Sequence, residues 1–249
     1  MGFSMLAIRT PDEEDGRLYP LPGEEQGSVR MEQWDGEPLR LTGSAITVQE
    51  LDSGRWRTLL RARDIKLDLL ITDSRFIVSS SKFDKGGGWV GFGGGAFFAL
   101  AANGVSKARA AYRRRGKLLV GQVRYPWLRC VGYKPKAGWG SSEQIRLGVV
   151  ARSGDGERQE LFLDVALPRN VDSAAVARAI VARAAAYRLA YTDVHDEDRA
   201  RFEELADGPT LPPPEPKKFA LYNLPRHYFV SSAVAYPDRE SALAGGGLA

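Results

Sequence analysis

A single cysteine, Cys130, and only two histidines, His195 and His227, stand in this 249-residue chain. One thiol excludes an internal disulfide framework and any cysteine-based zinc cluster. Its neighbours Leu128 and Val131 point to a thiol buried in a strand. With 43% hydrophobic and 27% charged residues, the composition excludes a wholly disordered, collagen-like or polytopic membrane protein. No basic start followed by an apolar stretch opens the chain, so export by a signal peptide is not expected. A length near 250 allows one elaborated domain or two small ones.

The most informative shortage is of acid. Residues 85–142 contain no Asp or Glu, where the chain average would place about seven. The same stretch holds eleven Lys and Arg, so it carries +11 while the whole chain carries +4 and the remainder −7. A segment depleted in acid makes a local positive potential and favours an anionic partner. The plain alternative is a skewed but solvated face.

Residues 1–40 are acidic and rich in turn formers, as in PDEEDG and LPGEE. They predict a flexible arm with at most a short docked piece. From Leu41 the pattern changes. Ala45, Thr47 and Gln49 alternate with Ile46, Val48 and Glu50, the period of a strand. Asp52-Ser53-Gly54 turns into a second strand opened by Arg55-Trp56-Arg57. Lys66-Leu67-Asp68-Leu69-Leu70-Ile71, a Thr72-Asp73-Ser74 turn and Arg75-Phe76-Ile77-Val78-Ser79 predict a tight antiparallel hairpin. Further strand-like runs cover 117–123, 127–133, 145–152 and 161–167, with a turn at Gly154-Asp155-Gly156.

The period then switches. Asn170 or Asp172 can cap a helix over 171–190, with Val176, Ile180, Ala184 and Tyr187 at helical spacing. Residues 193–206 predict a second, acidic helix, here taken as an accessory helix over 192–208. The proline-rich stretch from Thr210 predicts a semi-rigid linker. The segment 218–236 is aromatic and β-prone and is expected to fold back, within a linker and tail covering 209–249.

A strand meander closed by an amphipathic C-terminal helix resembles a pleckstrin-homology-like (PH-like) domain of the GRAM or bacterial PH type. Leu70-Ile71-Thr72-Asp73-Ser74-Arg75-Phe76-Ile77-Val78 is similar to the hairpin of such domains. Arg124-Tyr125-Pro126-Trp127-Leu128-Arg129-Cys130-Val131 is similar to their polar turn and following strand. The resemblance covers about 44–190. It implies an α+β fold: an antiparallel β-barrel or sandwich of about seven strands capped by a C-terminal helix. The domain would span 41–191, with residues 82–117 inserted as a Gly-rich loop and helix. It further implies non-catalytic binding of lipids, phosphoinositides or proteins. Phosphoinositide-binding members carry a basic cluster around the first hairpin, and Arg55 and Arg57, with Arg61 beyond them, represent it here.

Residues 86–95 read GGGWVGFGGG. Gly86, Gly88 and Gly91 satisfy G-x-G-x-x-G, but a dinucleotide site needs a strand before it, a helix after it and an acid about twenty residues on. The next acid is Glu143, so this reading fails, as does a P-loop. The apolar residues Trp89, Val90, Phe92, Phe97, Phe98 and Leu100 precede Lys107, Arg109, Arg113, Arg114, Arg115 and Lys117. On a helical wheel Phe97, Ala101, Val105, Ala108 and Tyr112 fall within an arc of about 80°. Lys107, Arg109, Arg113 and Arg114 fall opposite. That is the pattern of an interfacial helix on anionic lipid. Asn103 and Gly104 interrupt it, and the apolar run is short for a membrane span. Packing of these aromatics on the domain's own sheet, and contact with a protein, are the competing readings.

Chemical motifs are weak. Asp193, His195, Asp196, Glu197 and Asp198 could ligate a metal, but acids at a helix start answer the helix dipole. Ser79 to Lys82 matches S-x-x-K on a strand end, where that nucleophile is not activated. Trp34, Trp127 and Trp139 read as core or rim aromatics. The sequence therefore predicts a module that is not an enzyme and needs no cofactor or metal. Its expected place is cytoplasmic, peripheral at the inner face of the membrane. The expected anion-binding residues are Lys107, Arg109, Arg113, Arg114, Arg115, Lys117, Arg55 and Arg57, and the expected membrane contacts are Trp89, Val90, Phe92, Phe97 and Phe98. The partner is an anionic lipid or an acidic protein surface. One alternative is nucleic-acid binding through residues 85–142, where Tyr112, Tyr125, Trp127, Tyr133 and Trp139 interleave with basic residues. Another is a scaffold or homo-oligomer whose arm and tail exchange between copies.

Overall fold

The computed structural model describes residues 6–8, 31, 33–52, 54–80, 90–92, 119–138, 141–152, 158–191 and 194–225. Two long strands, β2 (Leu39–Asp52) and β3 (Arg55–Ile71), form its spine. Ile46 and Val48 enter the core while Thr47 and Gln49 face away, as the alternating pattern requires. Gly54, at φ +78°, turns the chain between them. Register shifts between Gly43 and Ala45 and between Val48 and Gln49 mark bulges, which bend strands of this length.

β4 (Arg75–Ser80) follows β3 through the Thr72-Asp73-Ser74 turn, β6 is Leu119–Arg124, and β7 is Leu128–Lys134. β8 (Gln144–Arg152) and β9 (Arg158–Ala166) complete the meander. β10 (Ala220–Asn223) returns from the tail and pairs antiparallel with β7. The strand order is β10-β7-β8-β9-β2-β3-β4-β6, antiparallel throughout. β6 and β7 stand six positions apart in that order, about 29 Å in a flat sheet. Yet only the three-residue 3-10 turn Tyr125–Trp127 joins them. The sheet must therefore curl over itself, enclosing Ile46, Leu69, Ile71, Phe76, Val123, Leu147 and Leu163.

Helix α1 (Ser173–Tyr191) starts where the spacing predicts, and Asp172 caps it by accepting from the Ala174 N–H at 2.8 Å. Val176, Ile180, Ala184 and Tyr187 are all buried. Through them α1 packs on β7, β8 and the 3-10 turn. α2 (Asp196–Asp207) lies on α1 through Phe202 and Leu205, with Asp196, Glu197 and Asp198 in its first turn. The antiparallel α+β expectation thus holds, with an eighth strand in the main sheet from the tail.

Parts of the expected arm have defined structure. β1 (Leu6–Ile8) pairs in parallel with β5 (Val90–Phe92), so residues 90–92 of the expected loop are a short strand. β1 also lies against β6. The second piece is a 3-10 turn at Gln33–Asp35, which supplies a fully buried carboxylate. Asp35 accepts from Arg75 Nε (2.9 Å) and Nη2 (2.6 Å), and from Ser74 Oγ (2.6 Å). The Thr72 hydroxyl accepts from the Ser74 and Arg75 N–H groups, and its hydrogen lies between the Arg75 carbonyl (2.8 Å) and Asp35 (3.0 Å). Arg75 Nη1 donates to Gln122 of β6 (2.9 Å). Gly36 sits against this turn at φ +58°, and a Cβ there would meet Asp73 Oδ2 at 2.0 Å.

Removing one partner of a buried ion pair strands the other charge, at a cost of about 3–5 kcal/mol. Asp35→Ala should lose that much in urea unfolding. A loss below about 1 kcal/mol, the worth of a surface bridge, would contradict the anchoring role.

Candidate functional site

The face of the sheet turned away from the core carries the concave site. Leu161, Leu163 and Val165 of β9 point inward, which sends Phe162 and Asp164 outward. Asp164 stands directly opposite Arg146 of β8, and the two form a bidentate pair with both bonds at 2.7 Å. The Arg146 guanidinium lies 4.5 Å from the Phe162 ring centroid and 4.2 Å from that of Phe219. Trp56 stacks on the other face of the column, 4.1 Å from Phe162 at 21°. Lys134 Nζ lies 4.9 Å from Phe219.

Opposite Phe162 stands Gly148, where a Cβ would sit 2.4 Å from Cys130 Sγ and 3.1 Å from the Phe162 ring. The missing side chain gives room to both. A groove of about 870 Å³ opens beside the column, lined by its Arg146 and Phe219 and, toward Trp56, by Thr58 of the same strand. Among the described residues, Arg61 and Arg63 of β3, Lys134 of β7, Arg146 and Arg169 line it against the single carboxylate of Asp164. Thr47, Gln49, Thr58, Ser141 and Ser142 add hydroxyls and amides. Among the side chains described, no carboxylate lies in ion-pair range of Arg61, Arg63 or Arg169.

Of the residues the sequence nominates, Trp89, Phe97, Phe98, Lys107, Arg109, Arg113, Arg114, Arg115 and Lys117 lie outside the described residues. Val90 and Phe92 belong to β5. Arg55 and Arg57 are exposed on the first hairpin, but Arg57 is ion-paired with the buried Glu50. Arg61 alone of that group reaches the groove. Elsewhere in the acid-free stretch, Arg124 is buried and Arg129 is ion-paired with Glu160, so these two do not add to an exposed cationic patch. Tyr125, Trp127 and Tyr133 are buried and present no stacking face, which removes them from the nucleic-acid alternative as drawn. The Tyr125 hydroxyl donates to the Thr72 carbonyl (2.8 Å) and that of Tyr133 to the Pro212 carbonyl (2.7 Å). Burial drives the Tyr125 phenol far above its ordinary pKa, against a smaller lowering by Arg183. Trp139 and Tyr112 lie outside the described residues.

Sequence reasoning missed Arg63, Arg146, Arg169, Phe162 and Phe219. Their proximity comes from cross-strand register, which no local motif encodes. Among the described residues no group of three metal-ligating side chains converges, and His195 is exposed at the start of α2. No helix among them is long and apolar enough to cross a membrane. Neither a protein-family model nor a curated protein matches the chain.

Burial also raises the Cys130 thiol pKa, more than the Gly148 N–H and the Arg129 and Arg146 charges lower it. Folding therefore favours the neutral thiol. Its stabilisation is complete below the unfolded thiol pKa and is lost as pH rises through the folded one. Native protein should resist iodoacetamide at pH 8, and urea should expose one reactive thiol. Rapid native labelling would contradict the packing of Cys130 against Gly148.

Proposed function

We propose that the chain is a non-catalytic, PH-like module that attaches to an anionic membrane surface through its basic and aromatic insertion, residues 82–117. The PH-like assignment draws support from the strand order. β2, β3, β4 and β6 run outward in sequence, β7, β8 and β9 return so that β9 joins β2, and α1 follows at once. A seven-strand meander with a helix after its last strand is the arrangement the sequence resemblance implies.

One observation carries the membrane reading: 58 consecutive residues without an acid, bearing +11 in a chain of net +4. Six of those charges, Lys107, Arg109, Arg113, Arg114, Arg115 and Lys117, follow directly on Trp89, Phe92, Phe97 and Phe98. Basic residues near an anionic leaflet contribute about 1 kcal/mol each, and inserted aromatics add apolar burial. Such a module works as a reversible tether at the cytoplasmic face of a membrane. It requires no cofactor and performs no bond-making step.

Liposome flotation tests it. The full chain should float with vesicles containing anionic lipid and stay down with purely zwitterionic ones. Combined R113A, R114A and R115A substitution should weaken vesicle binding about a hundredfold, three charges at about 1 kcal/mol apiece. Equal flotation of this variant and the parent, or equal binding to uncharged vesicles, would remove the proposal.

A further inference from the structure

The outer face of the sheet holds a second recognition surface that membrane tethering leaves unexplained. Trp56 is 42% exposed, the most exposed large apolar side chain among the described residues. Its ring ends a continuous column of Trp56, Phe162, Arg146 and Phe219. One face of Trp56 is covered by Phe162, and its exposure leaves the other for a further flat ring.

The charges have their own layout. Arg146 is engaged by Asp164 and serves as the spacer between two rings. Arg61, Arg63, Lys134 and Arg169 bring four more positive charges to the groove walls. β3 and β7 are four intervals apart in the strand order, so the backbones that carry Arg61 and Arg63 on one side and Lys134 on the other are about 19 Å apart along the sheet. A lone phosphate cannot meet cations spread that far. A chain of phosphates can, and an open trough lets it enter and leave. Thr47, Gln49 and Thr58 offer hydrogen bonds along the floor.

We infer that this groove binds single-stranded nucleic acid, with backbone phosphates on Arg61, Arg63, Lys134 and Arg169 and a base stacked on Trp56. Binding of this kind is salt-dependent and tolerant of sequence, because every base has a flat face. An acidic polypeptide would use the cations but leave Trp56 idle. Only Lys134 belongs to the acid-free stretch, so the site is separate from residues 82–117.

The test is fluorescence anisotropy of a dye-labelled oligothymidylate of about 15 nucleotides, titrated with the full chain between about 50 and 200 mM salt. The parent should bind with log affinity falling linearly in log salt, by about 0.7 per phosphate neutralised. R61A/R63A should weaken binding at least about tenfold and flatten the slope by about 1.4. Trp56→Ala should weaken it about tenfold with the slope unchanged, and Trp56→Phe should restore most of the loss. R113A/R114A/R115A should bind oligothymidylate as the parent does, and R61A/R63A should still float with anionic vesicles, so the two proposals fail separately. Trp56, Arg61 and Arg63 are exposed, and circular dichroism checks that each variant is folded. No anisotropy change up to about 100 µM protein, or parental binding by both groove variants, would overturn the inference. So would loss of binding confined to the insertion variant. Competition by poly-glutamate equal to that by oligothymidylate, with Trp56→Ala without effect, would assign the groove to an acidic polypeptide instead.

Discussion

The buried pair of Asp35 and Arg75 fixes the corner on which the sheet folds over. Asp35 comes from the chain before β2, Arg75 from β4, Gln122 from β6 and Thr72 from the turn between β3 and β4. Two charges in a dry corner interact strongly but lose their hydration, so the pair is tolerable only when every lone pair and proton is met. Here the carboxylate receives the arginine fork and two hydroxyls. The corner is extended by Tyr125, which reaches from the 3-10 turn to the Thr72 carbonyl. α1 then grips the same region from outside. Arg183 donates to the Ile71 and Glu37 carbonyls and to Asp73. The fully buried Arg188 donates to the carbonyls of Tyr125 and Leu128. Arg188 thereby satisfies backbone acceptors where β6 crosses to β7, and Arg183 those at the end of β3 and just before β2.

Much of this framework is legible in the sequence because its signals are local. Alternation at 45–50, the Thr72-Asp73-Ser74 turn and the helical spacing of Val176, Ile180, Ala184 and Tyr187 each depend on neighbours within a few residues. What escapes is what depends on distance along the chain. Asp35 sits among acids and turn formers that read as a solvated arm, yet its partner lies forty residues on. Arg188 is fully buried, yet nothing near it in sequence announces the carbonyls some sixty residues upstream that receive its hydrogen bonds. The groove is harder still. Arg146 and Gln49 approach each other across 97 residues, and Phe219 arrives only because β10 returns to β7.

The same contrast separates two kinds of charge asymmetry. The one visible in sequence is an absence of acid over residues 85–142. Once folded, its described members disperse: Arg124 goes into the interior, Arg129 to Glu160, Lys134 to the groove, and Lys136 is exposed beyond the end of β7. The one visible only in space gathers Arg61 and Arg63 from β3, Arg146 from β8 and Arg169 from the turn before α1. Arg146 and Arg169 stand in stretches whose local charge is unremarkable, while Arg61 and Arg63 continue the short basic run that begins at Arg55. A run of like charge in sequence therefore says little about potential at a surface unless the backbone keeps the run together.

The two faces of the sheet also differ in how they are finished. The inner face is sealed by α1 and by interlocked aliphatic side chains, with Gly43 admitting Val165 and Leu67 at close range. Among the described residues, no helix closes the outer face along β9, β2 and β3. Its rings are instead stacked on a guanidinium, an arrangement that keeps flat apolar surface upright in water without a covering layer. Arg146 can do this because Asp164 fixes the plane of its fork, while Gly148 removes the side chain that would push Phe162 out of line. A lysine at 146 would keep the charge and lose the plane. The stack, and with it the orientation of Trp56, thus rests on one bidentate pair whose two partners are held opposite each other by the register of β8 and β9.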